Sequence, residues 1–127
     1  MKSKKFDLND RLIDFAVFTL TLTDTMYNSR AGNHIANQLV RSCTSPALQY
    51  GEALSAESTK DFIHKLKILL KELRESFNSL KIAERVPLTE KTDMLKYALS
   101  ECSELIAIFV KSIETTRKNQ ISKGTTI

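Results

Sequence analysis

Apolar residues recur at helical spacing in segment 57–85, which reads ESTKDFIHKLKILLKELRESFNSLKIAER. Steps of three and four residues separate the apolar positions, and this is the spacing of one face of an α-helix. The face consists of Phe62, Leu66, Leu69, Leu73, Phe77 and Leu80, and Ile63 and Leu70 widen it. The pattern predicts one long helix with this face in a protein core.

Three other segments have the same periodicity. They predict a first helix over about 7–27, a second over about 33–53 and a fourth over about 89–118. The second helix contains Pro46, which lacks an amide donor and is expected to kink or split it. The middle of this helix, Ser42-Cys43-Thr44-Ser45, is small and polar, so another helix could approach it closely.

Capping residues and helix-breaking residues mark the ends of these segments. Asp7 or Asn9 can cap the first helix, and Ser55 or Ser58 can cap the third through its side-chain oxygen. Val86-Pro87-Leu88 is expected to stop the third helix, because the residue before a proline avoids helical geometry. The connections are therefore short.

Four helices with short connections predict an all-α fold, an antiparallel up-down-up-down four-helix bundle. We expect a mobile basic lead-in over 1–6, the bundle over 7–118 and a disordered tail over 119–127. A helical hairpin that completes its core only by oligomerising is the alternative. Some oligomerisation is expected in either case, because one core cannot cover every apolar residue outside the main faces. These residues are Phe18, Leu20, Ile68, Ile82 and Ile108.

Cations cluster on a second face of the third helix. At about 100° per residue they fall within an arc of roughly 80° that also contains Asn78 and has no acidic residue inside it. The six candidate nucleic-acid-binding residues of this arc are Lys60, Lys67, Lys71, Arg74, Lys81 and Arg85. Acids at one side could pair with the arc in part, namely Glu57, Asp61, Glu72 and Glu75. The alternative is an ordinary solvated face of a bundle helix.

Composition narrows the class of protein. The 127 residues carry 19 Lys+Arg against 15 Asp+Glu, a net charge of +4 that permits anionic partners without requiring them. Tryptophan is absent, so any base stacking would have to come from Phe, Tyr or His. Cys43 and Cys102 lack metal-ligand spacing and are expected to be buried, reduced thiols. The longest apolar run, 105–110, is too short to span a bilayer, and no secretory signal is evident, so we expect a cytoplasmic location and no membrane partner.

Catalytic and metal-binding motifs are not found in the sequence. His34 and His64 are the only histidines, and neither belongs to an H-E-x-x-H or E-x-x-H pattern. The hydroxyls of Ser42, Thr44 and Ser45 have no histidine and acid partnered with them, as a nucleophile would need. We therefore expect no enzyme activity, no metal site and no cofactor.

Arg41 and Glu52 are the charged residues of the neutral middle of the second helix. Each is expected to find a partner across a helix interface, with Glu72 and Arg74 as candidates. A structural role is preferred over ligand binding for this pair.

Two stretches resemble motifs of a known family. Arg41-Ser42-Cys43-Thr44-Ser45, followed by Glu52, resembles an R-S-A-T-S…A-E signature in bacterial four-helix-bundle proteins encoded in intervening sequences of large-subunit ribosomal RNA genes. Residues 60–68, KDFIHKLKI, resemble the third-helix motif of the same family. The resemblance covers about residues 6–116. It departs from the family pattern after Ser45, where Pro-Ala-Leu-Gln-Tyr replaces the usual Ile-Gly-Ala-Asn-Ile.

This resemblance implies an antiparallel four-helix bundle that assembles into a ring-like homopentamer. It also implies similarity to the accessory proteins of diversity-generating retroelements, which partner a reverse transcriptase and nucleic acid. It supplies no catalytic residues.

Two functions follow from the sequence. The first is a non-enzymatic oligomeric protein that binds nucleic acid through phosphate contacts from the basic arc, with RNA as the preferred candidate over DNA. The alternative is a protein-interaction scaffold or accessory subunit for another polypeptide, such as a reverse transcriptase.

Overall fold

Four α-helices make up the structure, a computed structural model that describes residues 7–124. The helices are α1 (Leu8–Thr23), α2 (Arg30–Leu54), α3 (Thr59–Arg85) and α4 (Thr92–Gly124). Residues 7–124 contain no strand, so the all-α prediction is confirmed. The predicted lead-in, 1–6, lies outside the described residues.

Side-chain caps define where the first three helices begin. The oxygens of Asp7, Ser29 and Ser58 each accept a hydrogen bond of 3.0 Å from the backbone amide three residues further on. Such a bond satisfies one of the amide donors that a helix N-terminus leaves unpaired. Asp7 is thus confirmed as the first cap, and Ser58 rather than Ser55 caps the third helix.

The first helix is shorter than its apolar pattern predicts and ends at Thr23 instead of near Tyr27. Beyond it the chain turns, and the Tyr27 amide donates to the Leu88 carbonyl at 2.9 Å. The hydroxyls of Thr25 and Thr89 are 2.7 Å apart beside this bond. These contacts join the α1–α2 and α3–α4 connections, and a helix continued to Tyr27 could not make them.

The second helix is continuous through Pro46, so of the two predicted effects of this proline, a kink or a split, the split is wrong. It also begins at Arg30, three residues before the predicted start. Pro46 is buried on the inner face. The proline removes one backbone hydrogen bond, but packing along a 25-residue helix stabilises the remaining turns on both sides.

The fourth helix is longer than expected. It runs to Gly124, so residues 119–124 are helical, and the prediction of a disordered tail from residue 119 is wrong for them. Residues 119–123 contain neither glycine nor proline, and the helix can therefore propagate until it reaches Gly124. The last three residues of the predicted tail, 125–127, lie outside the described part of the chain.

The helices pack antiparallel around one core, with each helix against the next and α1 against α4. All four contribute to the core. Its largest fully buried hydrophobic side chains are Leu12, Phe15, Leu22, Leu39, Leu66, Leu69, Leu73, Leu80, Leu105 and Phe109. On α3 the core also takes Ile63, Ser76 and Ala83, whereas Phe62 and Phe77 of the predicted face are only half-buried. The buried face of α3 is therefore rotated slightly from the sequence expectation.

Close approach of α2 and α3 depends on small side chains, as predicted. Ser76 donates a hydrogen bond of 2.8 Å to the hydroxyl of Ser42, and both side chains are buried. Two hydroxyls in contact leave no room for larger side chains between the helix backbones, so this pair sets the separation of the helices at mid-bundle.

A charged cluster ties α1 to α4. Arg11 donates two hydrogen bonds to Glu101, at 2.7 and 2.9 Å, and a third to Glu104 at 2.8 Å. These carboxylates raise the pKa of the Arg11 guanidinium above its ordinary value, although partial burial opposes them. The two acids are ordinary helix-surface residues in sequence, and packing gives them this interhelical role.

Both cysteines are buried and free, as expected from their position in the helical pattern. Cys102 lies within hydrogen-bonding distance of the Leu73 carbonyl, at 3.2 Å, and Cys43 lies 3.9 Å from the Ala16 carbonyl. Burial raises the pKa of each thiol to about 12. The thiols are therefore protonated and unreactive at neutral pH.

Candidate nucleic-acid interface

The basic stripe, defined as the six cations predicted from the sequence, lies along one side of α3 outside the core. Five of its members are exposed, and Lys81 is half-buried. The helix carries them together because residues three, four and seven apart share one face. From Lys60 to Arg85 the stripe is about 38 Å long at 1.5 Å per residue.

Among the described residues, the stripe is paired with acids at only one position. Lys81 contacts Glu84 at 3.1 Å. The other five cations make no ion pair within 4.0 Å in the part of the chain that the structure describes. The predicted flanking acids therefore do not neutralise the stripe by direct contact, and Lys71 and Glu75, four residues apart, do not pair.

Burial and neighbouring charges shift the pKa of Glu72, an acidic residue beside the stripe. The pKa of Glu72 is raised, first because the carboxyl is partly buried and second because Glu75 is close. Lys71 and Arg41 act in the opposite sense and lower it. Lys71 thus interacts with Glu72 through space without forming a close ion pair.

Three shallow depressions follow the stripe from one end of α3 to the other. The first is lined by Lys60, Ile63, His64, Lys67, Arg117 and Gln120. The second is lined by Lys67, Leu70, Lys71, Arg74, Glu75 and Asn78, and the third by Phe77, Asn78, Lys81, Ile82, Arg85 and Val86. All six predicted cations line at least one depression, so the structure groups them into a single elongated surface.

Two residues of α4 join this surface and were not predicted. Arg117 and Gln120 lie across the groove from Lys60 and Lys67 and line the same depression of about 300 Å³. In the sequence, Arg117 lies beside Lys118 near the predicted end of the fourth helix, and helical spacing does not relate it to the stripe. Its position beside the stripe depends on how far α4 extends alongside α3, and local spacing in the sequence does not predict that extent.

Arg41 and Glu52 form hydrogen bonds with residues other than the expected ones. Glu52 accepts a hydrogen bond of 3.2 Å from Lys65, which bridges α2 and α3. Arg41 donates to Gln38 on its own helix at 2.7 Å. Glu52 therefore has a partner across a helix interface, as predicted, but that partner is Lys65. Arg41 forms its hydrogen bond within its own helix.

Two hydroxyls of the second helix, those of Ser42 and Thr44, take part in packing and in a backbone contact. Thr44 donates to the Val40 carbonyl at 2.7 Å, while Ser42 meets Ser76 in the core. Within the described residues, no group of three or more His, Cys, Asp or Glu side chains could hold a metal ion. None of the helices in this part of the chain is both long and apolar enough to cross a bilayer.

Over residues 7–124, the fold is all-helical with four helices, and its candidate surface is the basic side of α3. No family model and no curated protein matches the chain. Among solved structures it is similar to a protein of unknown function from the S23 ribosomal protein family of Bacteroides thetaiotaomicron. The two are 28% identical, with a TM-score of 0.74, and the match covers 83% of this chain and 96% of that one. The chain thus has a structural neighbour in the S23 ribosomal protein family.

Proposed function

We propose that this protein is a non-enzymatic nucleic-acid-binding protein that contacts the phosphates of RNA through the basic stripe of α3. One observation carries the proposal. Five exposed cations lie on one face of a single helix and make no ion pair within the described residues. Cations without partners are available to replace the counterions of a polyanion, and release of those counterions drives binding.

The layout of the stripe suits phosphate contact without sequence readout. Lysine and arginine on a helix surface reach phosphate oxygens, whereas sequence is read at base edges by side chains that enter a groove. Arg117 extends the positive surface onto α4 at one end. We therefore expect affinity that depends strongly on salt and weakly on sequence.

Charge reversal in the middle of the stripe tests the proposal. Lys67→Glu combined with Lys71→Glu should weaken binding to a ribosomal RNA fragment by at least about tenfold. It should also reduce the slope of log K against log salt by about 1.4–1.8, the value for two lost phosphate contacts. Fluorescence anisotropy between roughly 50 and 200 mM salt measures both quantities.

A matched control separates local contacts from net charge. Lys91→Glu combined with Lys111→Glu changes the charge of the protein by the same amount at two exposed positions that line none of the three depressions. It should leave most of the binding and its salt slope in place. If the two double variants lose binding equally, or if neither does, the stripe is only a solvated face.

We further propose that the protein works as a ring-like homo-oligomer, so that the stripe is repeated around the assembly. The support is the family resemblance in the sequence, which implies a homopentamer, together with exposed apolar side chains on α1 and α2. These side chains are Ile13, Val17, Val40 and Leu48. Sedimentation equilibrium gives the subunit number directly from the 14.4 kDa chain mass, and a purely monomeric protein would contradict the ring.

A scaffold or accessory subunit for another polypeptide is the second candidate, and the same exposed apolar side chains favour it. The accessory proteins of retroelements, which the sequence resembles, suggest a reverse transcriptase as the partner. A defined polypeptide that stays bound after nuclease treatment, and that Lys67→Glu with Lys71→Glu does not release, would favour this function over the first. In either case the two free thiols agree with the cytoplasmic location that we propose.

A further inference from the structure

The third depression differs from the other two because apolar side chains take half of its lining. It has a volume of about 620 Å³ and lies at the C-terminal end of α3. Ile82 is 47% exposed and Val86 55% exposed, and Phe77 lines the depression while half-buried. Lys81 and Arg85 contribute cations to the same lining. The stripe therefore ends in a mixed surface of apolar and positively charged groups.

A phosphate alone does not account for this combination. A phosphate group is strongly hydrated and gains from the cations, but it gains nothing from the exposed carbon of Ile82 and Val86. A duplex presents mainly its phosphates to such a surface, because its bases are stacked inside. An unpaired nucleotide presents both an apolar base face and a phosphate, and proteins that bind single strands combine cations with aromatic or apolar side chains.

We infer that the depression formed by Phe77, Ile82 and Val86 holds an unpaired nucleobase, so the nucleic acid bound along α3 is single-stranded. This inference rests on the proposed function and specifies its substrate class. Lys81 and Arg85 lie beside the base site, where they can hold the flanking phosphates, and the remaining cations follow the strand along the helix. In a chain without tryptophan, Phe77 supplies the ring that base stacking requires.

Three labelled ligands with the same number of phosphates test the inference. The first is a single-stranded RNA without secondary structure, and the second is an RNA duplex. The third is a single-stranded abasic DNA, in which each unit keeps its phosphate and sugar but lacks its base. The single-stranded RNA should bind roughly tenfold more tightly than the base-free strand, as expected when one base stacks on the protein. Anisotropy at a single fixed salt concentration compares the three.

Two exposed side chains provide the variant. Ile82→Ala combined with Val86→Ala removes apolar contact from the depression without altering the core. It should weaken binding of the single-stranded RNA several-fold and leave the base-free strand unchanged. Leu54→Ala is the matched control, because Leu54 is 59% exposed on α2 and lines none of the three depressions.

The outcomes distinguish this inference from the proposed function. If the base-free strand or the duplex binds as tightly as the single-stranded RNA, and Lys67→Glu with Lys71→Glu still weakens binding, the base site is overturned and the phosphate-binding function stands. If none of the three ligands binds, both are overturned. A polypeptide that binds the protein and is released by Ile82→Ala with Val86→Ala would assign the depression to a protein partner and overturn the base site.

Discussion

Gly32→Ala is expected to destabilise the protein by about 3 kcal/mol, the upper end of the range for forced overpacking. A Cβ atom at this position would lie 2.0 Å from the carbonyl oxygen of Tyr27 and 3.0 Å from the hydroxyl of Ser29. The carbonyl is backbone, and it already accepts a hydrogen bond of 2.9 Å from the Ser29 amide. The α1–α2 connection would have to move, and the Ser29 cap of α2 with it. Urea denaturation followed by circular dichroism measures the loss.

Gly51→Ala is the matched control on the same helix. A Cβ atom there would meet nothing within 4 Å, and the residue is exposed. Alanine should therefore stabilise α2 by about 0.5–1 kcal/mol, because glycine loses more backbone entropy in a helix. The two identical substitutions should have opposite signs. A Gly32→Ala protein as stable as the parent would show that the connection can relax at little cost.

Alkaline pH is expected to weaken the fold through the two buried thiols. Burial raises the pKa of Cys43 and Cys102 to about 12, against 9.0 for an accessible thiol. The folded state therefore holds its thiol protons at a pH where the unfolded chain has released them. This stability is complete below about pH 9 and is lost as the pH rises toward 12. Each thiol should contribute a slope of up to about 1.4 kcal/mol per pH unit in that window.

The double variant Cys43→Ala with Cys102→Ala isolates the thiol contribution. It should be less stable at neutral pH, because shortened core side chains leave cavities, but its stability should fall less steeply above pH 9. Tyr50, whose pKa burial also raises, is present in both proteins and cancels in the comparison. Equal alkaline slopes in the two proteins would rule out the thiols as the cause. In the parent, a thiol reagent should react only after denaturation.

Prediction from the sequence succeeded for α3 because the relevant pattern is local. Residues three and four apart lie on the same face of any α-helix, so the alignment of the six cations and most of the core face follow from spacing. Phe62 and Phe77 of the predicted face are the exceptions, since both are only half-buried. The caps at Asp7 and Ser58 are equally local, since each uses an amide three residues away. Whether the stripe binds nucleic acid remains a proposal.

Contacts between residues that are far apart in the sequence could not be predicted from helical spacing. Arg11 and Glu101 are 90 residues apart, and their contact exists only because α1 packs against α4. The end of α1 at Thr23 likewise depends on the bond from Tyr27 to Leu88 between two connections. Local apolar periodicity continues past that point and therefore predicted a helix that is too long.

The sequence by itself determined an all-helical chain, four amphipathic segments and a single basic face on the third, because helical periodicity relates residues within one turn or two. Tertiary structure alone decided which side chains complete that face. It brought Arg117 and Gln120 of α4 to one end and left Ile82 and Val86 exposed beside the half-buried Phe77 at the other. The physical reason is that the register and extent of neighbouring helices arise from packing across the whole core, which no short stretch of sequence encodes.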